Sequence, residues 1–192
     1  MNTAIGVLAL QGAFASHLKC LHDIGCEARE VRTVHDLAGV HALIMPGGES
    51  STMSQLLESS GLFEEISLRL SEGFPVFGTC AGMILLADQV IDGRDDQHCF
   101  RAIDIAVRRN AFGRQVDSFE AEIDTTVGSF HGVFIRAPRI ESVGDSVEVL
   151  GTLNNEPVLV RNSNVLAASF HPEISGDIRL HEYFVSSLVQ TA

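Results

Sequence analysis

Cys80 lies in the stretch FGTCAGM, Phe77 to Met83, with Gly78 ahead of it and Gly82 behind it. A buried structural cysteine needs no such flanks. A cysteine presented on a sharp strand-to-helix turn does, because glycine removes the side chains that would collide as the chain turns and the helix packs. At such a turn the sulfur sits at a helix N-terminus, where the dipole favours the thiolate, the nucleophilic form. The backbone N–H of Ala81 would face any oxyanion formed by attack, and Gly48 in PGGES (Pro46 to Ser50) can bring a second N–H close to it. SFHPE, Ser169 to Glu173, offers the base. His171 can take a thiol proton near neutral pH, and Glu173 can hold the ring in one tautomer, with Pro172 stiffening the turn between them. Cys80, His171 and Glu173 have the types of a nucleophile, a base and an orienter, and the chemistry of such a set is acyl transfer through a thioester.

Each piece alone has a plainer reading. A single cysteine is most often a small buried hydrophobe, PGG a turn, and HPE a loop with a surface histidine. What sets these apart is that all three follow predicted strands, and in an open α/β sheet sites form at the carboxyl ends of strands. IGVLAL (Ile5 to Leu10), EAREV (Glu27 to Val31), ALIM (Ala42 to Met45) and PVFG read as strands. SHLKCLHDI (Ser16 to Ile24), SQLLESS, FEEISLRLSE and MILLADQV read as helices. Alternation of this kind predicts a parallel sheet covered on both faces. The second half is richer in short strands, IDIAVRR, FEAEID, GVFIRA, SVEVLGT, EPVLVR and VLAASF, and closes on a helical DIRLHEYFVSSLVQ. The expectation is one mixed α/β domain over residues 1–192, with a largely parallel, flavodoxin-like sheet flanked by helices.

Composition narrows the function. The chain of 192 residues carries a net charge of −12 and one lysine, Lys19. Polyanion binding needs clustered Lys and Arg, so nucleic acid is not an expected partner. Schiff-base chemistry needs a lysine in a site, and nothing around Lys19 resembles one. No apolar run approaches the roughly 20 residues that cross a bilayer, and the N-terminus lacks a basic secretory region, so a cytoplasmic protein is expected. Cys20, Cys26 and Cys99 lack the flanks of Cys80 and read as structural or exposed bystanders. Neither the cysteines nor the histidines have metal-ligand spacing, so no metal is expected. The histidines other than His171 read as solvated polar residues.

PGGES, GTCAG and HPE stand in the order and rough spacing of the class I (triad) glutamine amidotransferases, which the chain resembles. Within them it is similar to the glutaminase subunit of pyridoxal 5′-phosphate synthase. LALQGAF (Leu8 to Phe14), PGGESSTM (Pro46 to Met53), RNAFGRQVDSFEA (Arg109 to Ala121), GVFIRAP (Gly132 to Pro138) and SFHPE carry that resemblance across nearly the whole chain. It implies hydrolysis of L-glutamine to L-glutamate and ammonia. By the same resemblance Gly48, Glu49, Ser50, Arg109, Ile135 and Arg136 hold the glutamine, and an arginine can pair with its α-carboxylate through two hydrogen bonds. The implied partner is a (β/α)₈-barrel synthase subunit in a large hetero-oligomer, with Gln11 and Gly12 in the docking loop. Imine chemistry would then belong to the partner, pyridoxal phosphate would be the product of the complex, and this chain needs no cofactor. The acidic, histidine-containing segment DGRDDQHCFRAIDIAV (Asp92 to Val107) departs from the plainer loop expected there. Two other readings stay open: a triad glutaminase serving another biosynthetic synthase, and a non-catalytic module that docks to one.

Overall fold

The computed structural model describes residues 3–109 and 118–189. Its elements run β1 (Ala4–Leu8), α1 (Phe14–Asp23), β2 (Glu27–Val31), α2 (Val34–Ala38), β3 (Ala42–Met45), α3 (Ser50–Ser59), α4 (Leu62–Ser71), β4 (Val76–Thr79), α5 (Ala81–Leu86), β5 (Ala87–Val90) and β6 (Ile103–Arg108). They continue with β7 (Phe119–Thr125), β8 (Gly128–Phe134), β9 (Arg139–Val143), β10 (Glu148–Leu153), β11 (Glu156–Arg161), β12 (Val165–Ala168) and α6 (Arg179–Phe184), which ends in a π-helical turn over Val185–Val189. The expected uninterrupted closing helix is therefore a short α-helix that widens.

The main sheet has nine strands in the order β2-β1-β3-β4-β12-β11-β10-β7-β8. From β2 to β12 every pairing is parallel, and from β12 to β8 every pairing is antiparallel. A smaller sheet, β5-β6-β9, lies apart from it. The inner parallel strands β1, β3, β4 and β12 are buried along their whole length because both faces are covered, while the edge strand β2 exposes Arg29 and Glu30. Along β3, Leu43 and Met45 enter one core with Met53, Leu57 and Ile66 of α3 and α4, and Ala42 and Ile44 enter the other with Leu21 of α1 and Leu180 of α6. Alternation of side chains across the pleat makes this division.

MILLADQV does not remain helical. The helix stops at Leu86, and Ala87 is extended with ψ 147°. Two returning amides take its last carbonyls: Phe100 N–H donates to Leu85 O at 2.7 Å and Ala102 N–H to Leu86 O at 2.8 Å. The following ADQV then pairs parallel with β6. The segment that does this is Asp92 to Val107, the one that looked atypical. It is anchored further by His98 N–H on Ser54 Oγ at 2.8 Å and by Phe100 stacked on Phe63 with ring centroids 4.6 Å apart. Among the described residues no helix is long and apolar enough to cross a membrane.

Candidate active site

The loops after β1, β3, β4 and β12 leave the same edge of the parallel strands, so Gln11, Gly48, Cys80 and His171 converge there. Cys80 has φ 50° and ψ −103°, a conformation that a residue with a side chain rarely adopts. Such strain persists only where the surroundings hold it. The Cys80 N–H donates to Ala168 O at 2.8 Å, which ties the turn to the end of β12. Glycines close the rest: a Cβ on Gly82 would lie 2.1 Å from Met45 O, and one on Gly78 would lie 2.5 Å from Leu86 Cδ1. Both flanks of the cysteine are therefore fixed by close packing rather than by turn propensity alone.

His171 follows β12 and is almost wholly buried, and its N–H donates to Val133 O at 2.8 Å. Its Nδ1 is 2.8 Å from Glu173 Oε1. An ionised carboxylate only accepts, so Nδ1 carries the proton and Nε2 is left free for the sulfur. Burial works against a charged His171, yet hydrogen bonding to Cys80 and Glu173 and the attraction of their negative charge push its pKa up to about 10. Burial likewise opposes ionisation of Glu173, and the hydrogen bond from His171 outweighs it, holding the carboxyl below its usual range.

The PGGES turn is supported from two sides. Glu49 is the N-cap of α3: its carboxylate accepts from Ser51 N–H at 3.2 Å and Thr52 N–H at 2.7 Å. Gln11 Nε2 donates to Glu49 O at 2.8 Å and lies over Gly48, where a Cβ would approach it to 2.8 Å. Gly12 packs on Gly47 at the same turn.

One cleft of about 360 Å³ is lined by Gly12, Gly48, Glu49, Ser50, Cys80, Arg109, Ile135, Arg136 and His171 among others. Glu173 lies behind His171, Ala81 is buried at the start of α5, and Gln11 lies on the rim. Arg136 holds φ 47°, like Cys80 a side-chain-bearing residue in the left-handed region. Arg109 is not an idle surface cation. Its Nη1 donates to Ser51 Oγ at 3.1 Å and to Gln97 Oε1 at 3.0 Å, and its Nη2 donates to Glu49 Oε1 at 3.2 Å. Positions 110–117 of the RNAFGRQVDSFEA motif lie outside the described residues.

Gln97 was not singled out by sequence. It comes from the atypical Asp92 to Val107 segment, and its carbonyl also accepts from Ser50 Oγ at 3.4 Å and Ser51 Oγ at 3.2 Å. Two histidines correct the expectation of solvated residues, because His17 and His181 are fully buried. His17 Nε2 is 3.4 Å from Glu173 Oε2 and 3.2 Å from Thr79 Oγ1, and its Nδ1 is 2.9 Å from His181 Nε2. A signal was present: His17, Cys20 and Leu21 share the buried face of α1 at helical spacing. Cys20 is buried and Cys26 and Cys99 are partly exposed, all with free thiols.

The model of the SNO glutamine amidotransferase family matches residues 7–190. A protein of Corynebacterium jeikeium named pyridoxal 5′-phosphate synthase subunit PdxT is 55% identical over 192 residues, covering 97% of each chain. A protein of the same name from Mycobacteroides abscessus is 52% identical over 187 residues, covering 96% of this chain and 97% of its own. A solved glutamine amidotransferase superposes with a TM-score of 0.90 at 50% identity, covering 94% of this chain and 96% of its own.

Proposed function

The chain belongs to the SNO glutamine amidotransferase family, and from that premise we propose that it hydrolyses L-glutamine to L-glutamate and ammonia for pyridoxal 5′-phosphate synthase. The sulfur of Cys80 attacks the side-chain amide carbon, and the N–H groups of Gly48 and Ala81 receive the oxyanion. His171 protonates the departing ammonia. It then takes a proton from the water that cleaves the thioester, while Glu173 holds its ring. Arg109 receives the substrate α-carboxylate, Glu49 and Ser50 line its path, and the backbone of Ile135 and Arg136 takes the amino end.

The observation that carries this reading is the 2.8 Å contact of His171 with Glu173 at the cleft that Cys80 also lines. The relatives' printed name supports the synthase: both are called subunits of pyridoxal 5′-phosphate synthase and match over nearly their full length. In our reading the whole of residues 1–192 is one glutaminase domain in the cytoplasm. Its partner is a (β/α)₈-barrel synthase subunit in a large hetero-oligomer, and Gln11 and Gly12 belong to the docking loop. The ammonia leaves with the partner, which makes the cofactor as product, so no cofactor is required here.

The test is glutamate release from L-glutamine by the chain alone and with the barrel subunit, for the wild type and Cys80→Ala. Release that rises on adding the subunit and vanishes in Cys80→Ala is expected. Unchanged release in Cys80→Ala sinks the mechanism, and no response to the subunit sinks the partner.

A further inference from the structure

Glu173 Oε2 and His181 Nδ1 are the buried side-chain polar atoms that lack a hydrogen-bond partner among the described residues. They are the two ends of one buried row: Oε2 faces His17 Nε2 at 3.4 Å, and His17 Nδ1 meets His181 Nε2 at 2.9 Å. This row lies beneath the sheet, against Phe77, whose ring meets both imidazoles edge-on. Thr79 shares the pleat face of Phe77, touches His17 and directly precedes Cys80.

Proton placement in the row is decided by cost. With the proton of His17 on Nδ1, its Nε2 lone pair would face a carboxylate oxygen and His181 would bury an unpaired N–H. With the proton on Nε2, that N–H faces Oε2 and Thr79, His181 Nε2–H donates to His17 Nδ1, and only an imidazole lone pair at His181 Nδ1 is left over. The second arrangement is the cheaper one, because an unmet donor beside a repelled anion is avoided. We propose that His17 is a positioning residue for the glutaminase reaction: its Nε2–H, bonded to Thr79 Oγ1 at 3.2 Å, turns the positive end of its dipole toward the second oxygen of Glu173 at 3.4 Å, with His181 fixing its tautomer.

The inference rests on the glutaminase reading and on Glu173 as the orienter of His171. Burial keeps His17 and His181 neutral, pushing their pKa values down to about 4 and about 3. They therefore supply dipoles rather than charge. The titratable groups near His17 are Glu173 and His171 after β12, His181 on α6, and Cys20 on its own helix. Removing the His17 donor leaves Oε2 unsupported, raises the proton affinity of Glu173 and weakens its hold on imidazolium His171.

The test uses the chain with its synthase partner. In His17→Leu, kcat for glutamate release falls roughly 10-fold or more, on the scale of losing an outer-shell contact to a catalytic group. KM for glutamine holds, and the alkaline limb of kcat/KM moves to lower pH. His17→Gln, which keeps an N–H, recovers part of the loss. In a Glu173→Gln background His17→Leu has no further effect. Losses that multiply independently of Glu173 overturn the proposal. In case the variants fail to fold, ¹⁵N-histidine NMR of the wild type reads the tautomer directly: His17 protonated on Nε2 supports the proposal, and on Nδ1 overturns it. A wild type that releases no glutamate sinks the glutaminase reading, whereas an active wild type with unaffected His17 variants sinks only this inference.

Discussion

Gly47 backs directly onto His171: a Cβ placed on Gly47 would lie 2.3 Å from His171 Cε1 and 3.0 Å from Nδ1. The imidazole is buried and tied to Glu173, so it cannot swing away without giving up that hydrogen bond. Gly47→Ala should therefore displace the imidazole. Displacements near 1 Å reduce rate on the order of 100-fold, and overpacking of this kind costs about 1–3 kcal/mol of stability. Steady-state glutamate release and thermal melting of the variant check it, and a wild-type kcat would refute the packing argument.

Gln97 holds the guanidinium of Arg109 together with the start of α3. Gln97→Ala should leave kcat nearly unchanged and raise KM for glutamine roughly 10-fold, the signature of lost uniform binding. Arg109→Lys should raise it further, because a point charge cannot replace the planar fork. Substrate titration of both variants decides, and a fall in kcat at constant KM would mean that this arginine serves the chemistry instead.

Acid should destabilise the chain before its carboxylates titrate. His17 and His181 have folded-state pKa values of about 4 and about 3, against about 6.5 unfolded. As pH falls below the unfolded value, the unfolded state binds protons that the folded state refuses, so stability present above pH 6.5 is lost on the way to pH 4. For His17 alone the loss is about 3 kcal/mol. Exposed His131, raised by the hydrogen bonds it donates to Glu122 and Glu120, opposes this only weakly. Melting temperature measured between pH 6.5 and 4.5 should decline steadily, and a flat profile there would contradict it.

Gly12 has φ +88°, and a Cβ there would fall 1.9 Å from Gly47 O. Gly12→Ala combines a disfavoured backbone with a clash against another backbone, so the PGGES turn must shift. Thermal melting should drop by about 1–3 kcal/mol equivalent, and synthase-stimulated glutamate release should drop with it. A variant matching the wild type in both would show that the two loops are not packed as described.

The parallel half of the fold is legible in the sequence because its inner strands are buried on both faces and read as short apolar runs, alternating with helical patterns. ALIM and EAREV have their observed bounds. The end of α5 is not legible, since the amides that take the carbonyls of Leu85 and Leu86 lie far along the chain, past a segment with no strand pattern. Cys80, His171 and Glu173 stand out as candidates because each sits in a short motif whose neighbours have geometric jobs. Gln97 and the buried histidines do not. Their surroundings are assembled from α1, β4 and α6, or from α3 and a loop, and single-sequence periodicity shows a buried face without showing what it faces.

The main-chain tie between Cys80 and Ala168 has a mechanical meaning. The amide of Cys80 is bonded to the last residue of the strand that leads to His171, and the amide of His171 is bonded in turn to β8. The Cys80 thiol and the His171 imidazole thus ride on one rigid plate, and separating them would require breaking sheet register. The PGGES turn is fastened differently, by a main-chain bond from Ala13 N–H to Gly47 O at 3.3 Å, by the side chain of Gln11 and by a carboxylate cap, the last two at the solvent margin. A contact that presses on Gln11 or Glu49 would move this turn while the Cys80 thiol and the His171 imidazole stay fixed relative to each other.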